Sequence, residues 1–341
     1  MSENPTEKDK AVDPKAAALK LFQKEFINKD YFPTDVDYSH KIHSYLYLKY
    51  IHLYIYNMKM ALMKFIPDDR PTPVKPTGPE YDVVDDMIRM SANYSNMLAL
   101  RPETHAYHGK VLRAQDAEKF FKVDKDINLP DLPKTVIPYE QARKAVINCP
   151  DRIILTECSC RSTLGDKGCH PRMVCMALGE PWASFVMEHA TLIERREITQ
   201  EEALELIREQ HEMGHVQAAF FKDSQNDRLY GMCNCCNCCC TAVLAQNYLD
   251  AGIFANSGYL REVDQDKCTA CGNCAAVCIF DAARIEDGKT VAGHDRCMGC
   301  GVCEPKCPNG AISMRRNDPA VSEPLDLDVL MPKYQNEQPR G

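Results

Sequence analysis

The sequence lacks the motifs that identify most nucleotide- and flavin-dependent enzymes. It contains no Walker A loop, no G-x-G-x-x-G after a predicted strand, and no Ser, His and Asp in the arrangement of a hydrolase. The residues therefore predict no catalytic side chains and no nucleotide or flavin chemistry belonging to this chain. Any chemistry must come from other residue types.

Further absences bear on location and partners. The chain has no apolar run long enough to cross a membrane, and its first residues, Met1 to Pro5, show neither a charged n-region nor an apolar h-region. Its formal net charge is -8, with no basic patch that contains interleaved aromatic side chains. We therefore expect a cytoplasmic protein that does not bind nucleic acid, and a redox partner protein with a basic docking face. Peripheral contact with a membrane stays open.

The composition is that of a globular protein with more than one domain. Its 341 residues are 45% hydrophobic and 26% charged, which is enough to bury a core without metal. The patterns predict an α+β protein with a helical N-terminal part, a mixed cysteine-rich middle domain and a C-terminal module. The predicted division is a disordered lead at 1–15, a helical region at 16–100 with a proline-rich linker at 67–79, a middle domain at 101–250, the module at 251–316 and an extended tail at 317–341.

The most informative feature is a pair of cysteine quartets near the C-terminus. Each has the spacing C-x2-C-x2-C-x3-C, which is the ligand spacing of a [4Fe-4S] cluster. The quartets are Cys268, Cys271, Cys274 and Cys278, and Cys297, Cys300, Cys303 and Cys307. Two identical quartets exceed what a zinc site needs, and disulfides would require an oxidising compartment. The spacing therefore predicts two iron–sulfur clusters.

Residues 258–316 resemble a bacterial-type dicluster ferredoxin module. The resemblance implies a pseudo-two-fold repeat in which each quartet gives its fourth cysteine to the other cluster. The implied ligand sets are Cys268, Cys271, Cys274 and Cys307 for one [4Fe-4S] cluster, and Cys297, Cys300, Cys303 and Cys278 for the other. The Asp287-Gly288 turn predicts the hairpin that such a module places between its halves. Ile279 departs from the family, which usually has a proline there, as at Pro308.

Ten more cysteines lie in the middle of the chain. They are Cys158, Cys160, Cys169, Cys175, Cys233, Cys235, Cys236, Cys238, Cys239 and Cys240. Ten thiols are too many for one metal ion, and this region resembles a cysteine-rich segment of uncharacterised iron–sulfur proteins of anaerobic bacteria. We expect one or two additional iron–sulfur clusters here, with zinc or a redox-active thiol or disulfide site as alternatives.

The conformation of the dense run decides how its cysteines are grouped. If residues 233–240 are extended, alternation places Cys233, Cys235 and Cys239 on one face and the other three on the opposite face. A helix would group them differently, so individual ligands are not assigned.

Two neighbouring side chains have both a functional and a structural interpretation. Arg161 and His170 could each donate to a cluster sulfur or supply a proton, and for each a structural role is the simpler interpretation. Cys149, alone before Pro150, is most simply a small buried side chain.

Local patterns predict several other elements. The tyrosine-rich segment 37–66 keeps helical spacing of apolar residues and predicts one long amphipathic helix, with core packing as its simplest role and a subunit interface or a membrane surface as alternatives. Further predictions are helices at 16–28, 81–100, 138–146, 199–212 and 241–249, and a strand at 152–156.

Together, these features predict an electron-transfer protein. Iron bound by thiolates moves single electrons, and clusters placed along one chain make a relay. We expect a subunit or docking partner of a larger redox complex in an anaerobic cytoplasm, rather than a free-standing enzyme. The alternatives are an iron–sulfur reductase with a substrate or open-iron site in the middle cysteine region, and a redox or oxygen sensor.

Overall fold

The computed structural model describes residues 20, 22–27, 38–99, 107–124, 126–129, 132–138, 146–147, 150–222, 225 and 228–330. The predicted lead at 1–15, most of the helix predicted at 138–146, Cys149 and residues 331–341 lie outside the described residues.

The described residues form a group of helices followed by strands with shorter helices between some of them. The helices are α1 Tyr38–Lys49, α2 Ile51–Leu62, α3 Pro79–Ala99, α4 Ala114–Phe120, α5 Ser159–Ser162, α6 Trp182–His189, α7 Gln200–Glu212, α8 Thr241–Leu249 and α9 Asn273–Ala276, with a π-helical turn at Gln23–Ile27 and a 3-10 turn at Gly165–Lys167. The strands are β1 Tyr107–Leu112, β2 Ile127–Asn128, β3 Val146–Ile147, β4 Ile153–Glu157, β5 Met173–Leu178, β6 Arg195–Ile198, β7 Val216–Lys222, β8 Leu229–Cys235, β9 Phe254–Ala255, β10 Tyr259–Val263, β11 Ala283–Glu286, β12 Lys289–Ala292 and β13 Ile312–Arg316. The protein is therefore of the α+β class.

A seven-stranded sheet organises the fold, with strand order β6-β4-β5-β8-β7-β1-β9. Neighbouring strands are antiparallel, except that β9 runs parallel to β1. Because side chains alternate along a strand, the sheet contributes to two cores on opposite faces. In β7, Phe220 belongs to the core of the first face and Phe221 to that of the second. In β8, Cys233 packs against the first core and Met232 lies in the second.

The tyrosine-rich segment is helical, but it is not the single helix that was predicted. α1 ends at Lys49 and α2 begins at Ile51, because Tyr50 leaves the helical conformation at φ -115° and ψ 37°. Hydrogen bonds from Tyr50 N to Leu46 O and from Tyr54 N to Tyr50 O keep the two helices close to continuous. Both pack on the first face, where Tyr54 is fully buried. Within the described residues, the segment serves as core.

Several local predictions are confirmed. Thr199 and Glu202 form the predicted capping box, in which the Thr199 hydroxyl accepts from Glu202 N and the Glu202 carboxylate accepts from Thr199 N. The Asp287-Gly288 turn joins β11 to β12, and both of its residues have positive φ. None of the described helices is both long and apolar enough to cross a membrane. The division into domains and the pseudo-two-fold repeat stay predictions.

The segment after the C-terminal module returns to the second face of the sheet. Leu325, Leu327 and Leu330 are buried there, and residues 327–330 are helical rather than extended. The buried Lys110 ammonium in β1 donates to the carbonyl of Glu323 at 2.8 Å. This part of the predicted tail is therefore integral to the fold.

Gly258 lies where this returning segment crosses the start of β10. It has φ +89°, and a Cβ there would meet the backbone of Glu323 and Pro324. We expect Gly258→Ala to lower the free energy of unfolding by about 1–3 kcal/mol more than Gly288→Ala, since Gly288 has a similar φ of +71° but no atom near the position of a Cβ. Anaerobic thermal denaturation of the two variants measures this difference. Equal melting temperatures would contradict the close approach of the two backbones.

Candidate metal centres

The structure brings four C-terminal cysteines to one small cavity. Cys278, Cys297, Cys300 and Cys303, the set that the resemblance implies for one cluster, line a cavity of about 20 Å3. Arg261 also lines it, and its Nη1 is buried without a hydrogen-bond partner among the described residues. A buried N–H needs an acceptor, so this cavity suits an occupant that presents sulfur acceptors.

The other implied set lies nearer the surface. Cys274 is buried and packs with Cys307 beside Ile312, whereas Cys271 is exposed. A hydrogen bond with the Thr290 hydroxyl lowers the pKa of Cys268. In the set led by Cys297, by contrast, burial raises the pKa of Cys303 to about 12. The set led by Cys297 is thus the more enclosed of the two, because only the set led by Cys268 has an exposed member.

Backbone groups support thiolate ligands at equivalent positions of the two quartets. Ala282 N donates to Cys278 Sγ at 3.3 Å, and Ala311 N donates to Cys307 Sγ at 3.2 Å. In each quartet a glycine follows the second cysteine with φ of 82°, a conformation that a side chain disfavours, so the loop turns tightly. The local geometry fits metal ligation, while the assignment of each cysteine to a cluster stays a prediction.

Seven of the ten middle cysteines line a second cavity of about 40 Å3, on the first face of the sheet. One of them, Cys236, also belongs to the quartet described below. The other six, here called the six-thiol group, are Cys158, Cys160, Cys175, Cys233, Cys235 and Cys240. Its members come from the β4–α5 junction, from β5, from β8 and from the N-cap of α8. Separate parts of the sheet therefore converge on one site.

Cys160 is the thiol of this group most readily ionised. Its pKa is lowered by hydrogen bonds with Cys158 and Cys240 and by the positive charge of Lys59, despite burial. The backbone N–H of Thr241, at the start of α8, donates to Cys160 Sγ at 3.4 Å. The pKa of Cys240 is raised by hydrogen bonds with other thiols and by burial. The site therefore stabilises one thiolate and needs a metal to hold several.

The remaining four middle cysteines form a quartet that adjoins the six-thiol cavity through Cys236. Their sulfur atoms lie within 4.8 Å of one another, and this thiol quartet comprises Cys169, Cys236, Cys238 and Cys239. Cys169 and Cys238 are in contact as a disulfide, but their Cα atoms are 7.4 Å apart, wider than disulfides usually allow. That separation fits two ligands of one metal better than a covalent pair. A single tetrahedral ion with metal–sulfur bonds of about 2.3 Å also requires closely spaced sulfurs.

The quartet likewise contains one thiol prepared as a thiolate. A hydrogen bond from Cys239, with the charge of Arg161, lowers the pKa of Cys236 to about 6 although burial opposes it. The backbone N–H of Cys169 donates to Cys239 Sγ at 3.3 Å. The lowered pKa of Cys236 and the N–H donor to Cys239 Sγ both favour metal binding by this quartet.

Two buried cations adjoin both thiol groups. Arg161 has no exposed surface, and its guanidinium donates to the carbonyls of Pro171 and Asn234. Lys59 is 2% exposed and donates to the carbonyl of Cys160 and to the Thr163 hydroxyl. Among the described residues neither cation forms an ion pair with a carboxylate. Their charge is therefore balanced by thiolates.

Arg161 lies between the two groups. Burial alone would lower the pKa of Arg161, but Cys158 and Cys175 on one side, and Cys236 and Cys239 on the other, raise it overall when they are thiolates. Its Nε is buried without a hydrogen-bond partner among the described residues. This orphaned N–H supports a sulfur-containing occupant beside it, as at Arg261.

Sequence reasoning located the cysteines but not their grouping. The strand ends at Cys235 and a turn covers residues 237–239, so neither the fully extended nor the helical alternative describes this run. His170, named as a possible donor, is exposed and lines neither cavity. The roles of Lys59 and Thr241 were missed, because nothing in their local sequence marks them.

Comparison with known proteins addresses the C-terminal part. A family model for the 4Fe-4S dicluster domain matches residues 267–312. No curated protein and no solved structure matches the chain. The chain therefore contains a ferredoxin-like [4Fe-4S] dicluster domain, and with the cysteine-rich middle region this supports an iron–sulfur electron-transfer role.

Replacing Cys239 tests the thiol quartet. We expect Cys239→Ser to remove the metal of that quartet while about eight irons stay in the dicluster domain, since the two sites share no residue. Metal and sulfide analysis of anaerobically purified protein measures both. Cys149→Ser is the matched control, because this cysteine belongs to neither motif, and it should leave every metal in place. Unchanged metal content in Cys239→Ser would show that the quartet does not bind a metal.

Proposed function

We propose that this chain relays single electrons between its dicluster domain and a metal centre in the middle cysteine region, as a subunit or docking partner of a larger redox complex. Bound [4Fe-4S] clusters would supply one-electron chemistry. In this proposal the set led by Cys268 binds one [4Fe-4S] cluster and the set led by Cys297 binds the other. The middle region is then related to the cysteine-rich segment of iron–sulfur proteins of anaerobic bacteria.

A continuous aromatic contact carries the proposal. Phe280 lines the cavity of the Cys297 set, and Phe220 lines the six-thiol cavity. Phe254 packs edge-to-face against both, with ring centroids 5.8 Å from Phe220 and 5.7 Å from Phe280. All three rings are buried, so the two sites are joined through packed side chains without intervening solvent.

Hydrogen bonds fix the two sites relative to each other. Asn247 in α8, the helix that Cys240 caps, donates to the carbonyl of Ile279 at 2.8 Å. Asn256 donates to the carbonyl of Cys297 at 2.6 Å. Two loops that carry candidate ligands of the Cys297 set are thus tied to α8 and to the segment that follows it, and Cys240 of the six-thiol group is the N-cap of that helix. Such a rigid connection suits electron transfer, which requires a fixed separation.

The spacing of the middle thiols favours two different occupants. The six-thiol group has enough ligands for a [4Fe-4S] cluster, whereas the thiol quartet suits one tetrahedral ion, the zinc alternative of the sequence analysis. The exposed Cys271 places the Cys268 set nearest to solvent, where a partner protein would dock. Electrons then pass inward from that set toward the enclosed thiols.

A second candidate is an iron–sulfur reductase. It is favoured by one observation, a further cavity of about 90 Å3 directly beside the six-thiol group. In this function the relay would end at a substrate instead of a second protein.

The metal inventory tests the relay. We expect anaerobically purified protein to contain about twelve irons, from three cubanes, and one further metal ion. Freeze-quench EPR after mixing with one electron equivalent should show signals of the dicluster domain first and of the middle centre later. Eight irons, or a middle centre that never accepts electrons from the domain, would overturn the proposal.

Arg161 should tune the reduction potential of the middle centre. Arg161→Met removes a buried positive charge, so we expect that centre to become harder to reduce by about 60 mV or more, where 59 mV is a factor of ten for one electron. Arg161→Lys keeps the charge and is the control. EPR-monitored redox titration measures both variants, and the potentials of the dicluster domain serve as internal references. Equal potentials in the two variants would contradict the electrostatic role.

A further inference from the structure

The cavity beside the six-thiol group is separate from the space that the six sulfurs enclose. Cys158, Cys160, Cys175 and Cys233 form a wall common to both cavities, while Cys235, Cys236 and Cys240 line only the smaller one. A metal centre held by this group belongs where all six sulfurs converge. The larger cavity, here called the tyrosine chamber, is then left for another occupant.

The lining of the tyrosine chamber is mainly apolar. Leu48, Ile51 and Val186, from α1, α2 and α6, line it together with sheet residues and with Ile193 from the loop before β6. Glu157 is the one charged residue in its described lining, and no lysine or arginine is present there. An anion would meet a carboxylate and thiolates without a compensating cation, so a neutral molecule fits better. Its volume of about 90 Å3 admits a small organic molecule.

Four hydroxyl groups line the chamber, and one of them, that of Thr156, donates to the carbonyl of Cys175 at 3.2 Å. Ser159 Oγ, between two thiols of the shared wall, is buried without a hydrogen-bond partner among the described residues. Tyr47 and Tyr230 also line the chamber, and their hydroxyls are 3.0 Å apart. A buried unpartnered hydroxyl is costly unless something in the cavity pairs with it. An oxygen atom on the occupant would satisfy Ser159.

We infer that the tyrosine chamber binds a small neutral molecule bearing a carbonyl or hydroxyl oxygen, held against the six-thiol group. Such a ligand would be the substrate of the reductase candidate. The inference rests on the proposed function only because a reduction in the chamber would need electrons from the relay. The binding itself follows from the cavity and its hydroxyls.

Two probes of similar size and opposite charge test the chamber. Butanone is neutral and carries a carbonyl, whereas propionate is an anion of comparable shape. We expect saturation-transfer NMR on the anaerobic full-length protein to detect butanone and not propionate. Butanone binding that is absent, or propionate binding that is equally strong, would overturn the inference.

Conservative variants locate the binding site. Ser159→Ala and Tyr230→Phe each remove one hydroxyl and should weaken butanone binding by about three- to tenfold. Tyr81→Phe is the control, since Tyr81 is a buried tyrosine outside the chamber, and it should leave binding unchanged. Full binding in both chamber variants would refute the assignment.

Iron analysis of the same samples separates this inference from the relay. About twelve irons without butanone binding would remove the chamber ligand and leave the relay standing. Butanone binding with about eight irons would remove the relay and leave the chamber ligand standing.

Discussion

The burial of two cations beside ten thiols is the constraint on which the middle region depends. Arg161 and Lys59 reach only neutral hydrogen-bond partners, although each carries a full charge away from water. A buried charge is tolerated only with a nearby opposite charge, and here the thiolates provide it. Thiolates packed this densely repel one another unless a metal neutralises them. Cations, sulfurs and metal therefore depend on one another at this site.

The sheet explains how such a site is built. β5 and β8 present their thiols on the first face by simple alternation, and α2 covers that face with Lys59. The dicluster domain joins the same core through Phe254 and Phe280, so it is packed onto the sheet instead of being tethered to it. The shared core brings an enclosed ligand set of the domain within two ring contacts of the six-thiol group. The contact resembles the interior of a single domain more than a docking surface between two.

The extent to which the sequence revealed this arrangement follows the range of each interaction. The C-terminal cluster motifs could be predicted because the cysteines of each quartet lie within a few residues of one another. The capping box of α7 could be predicted for the same reason. The thiol quartet could not be predicted, because Cys169 meets residues 236–239 only in the tertiary fold. The break at Tyr50 and the phenylalanine contact are likewise set by packing between distant segments. Periodicity carries no information about such partners.

The returning C-terminal segment has a consequence for biosynthesis. Leu325, Leu327 and Leu330 complete a core to which Phe120 and Ile207 contribute from much earlier in the chain. Translation proceeds from the N-terminus, so this core stays open on the ribosome until the segment beyond the dicluster domain has emerged. The thiol-bearing strands β5 and β8 contribute Met176 and Met232 to this same core, so the sheet beneath the thiols is covered on its second face only after the dicluster domain has been made.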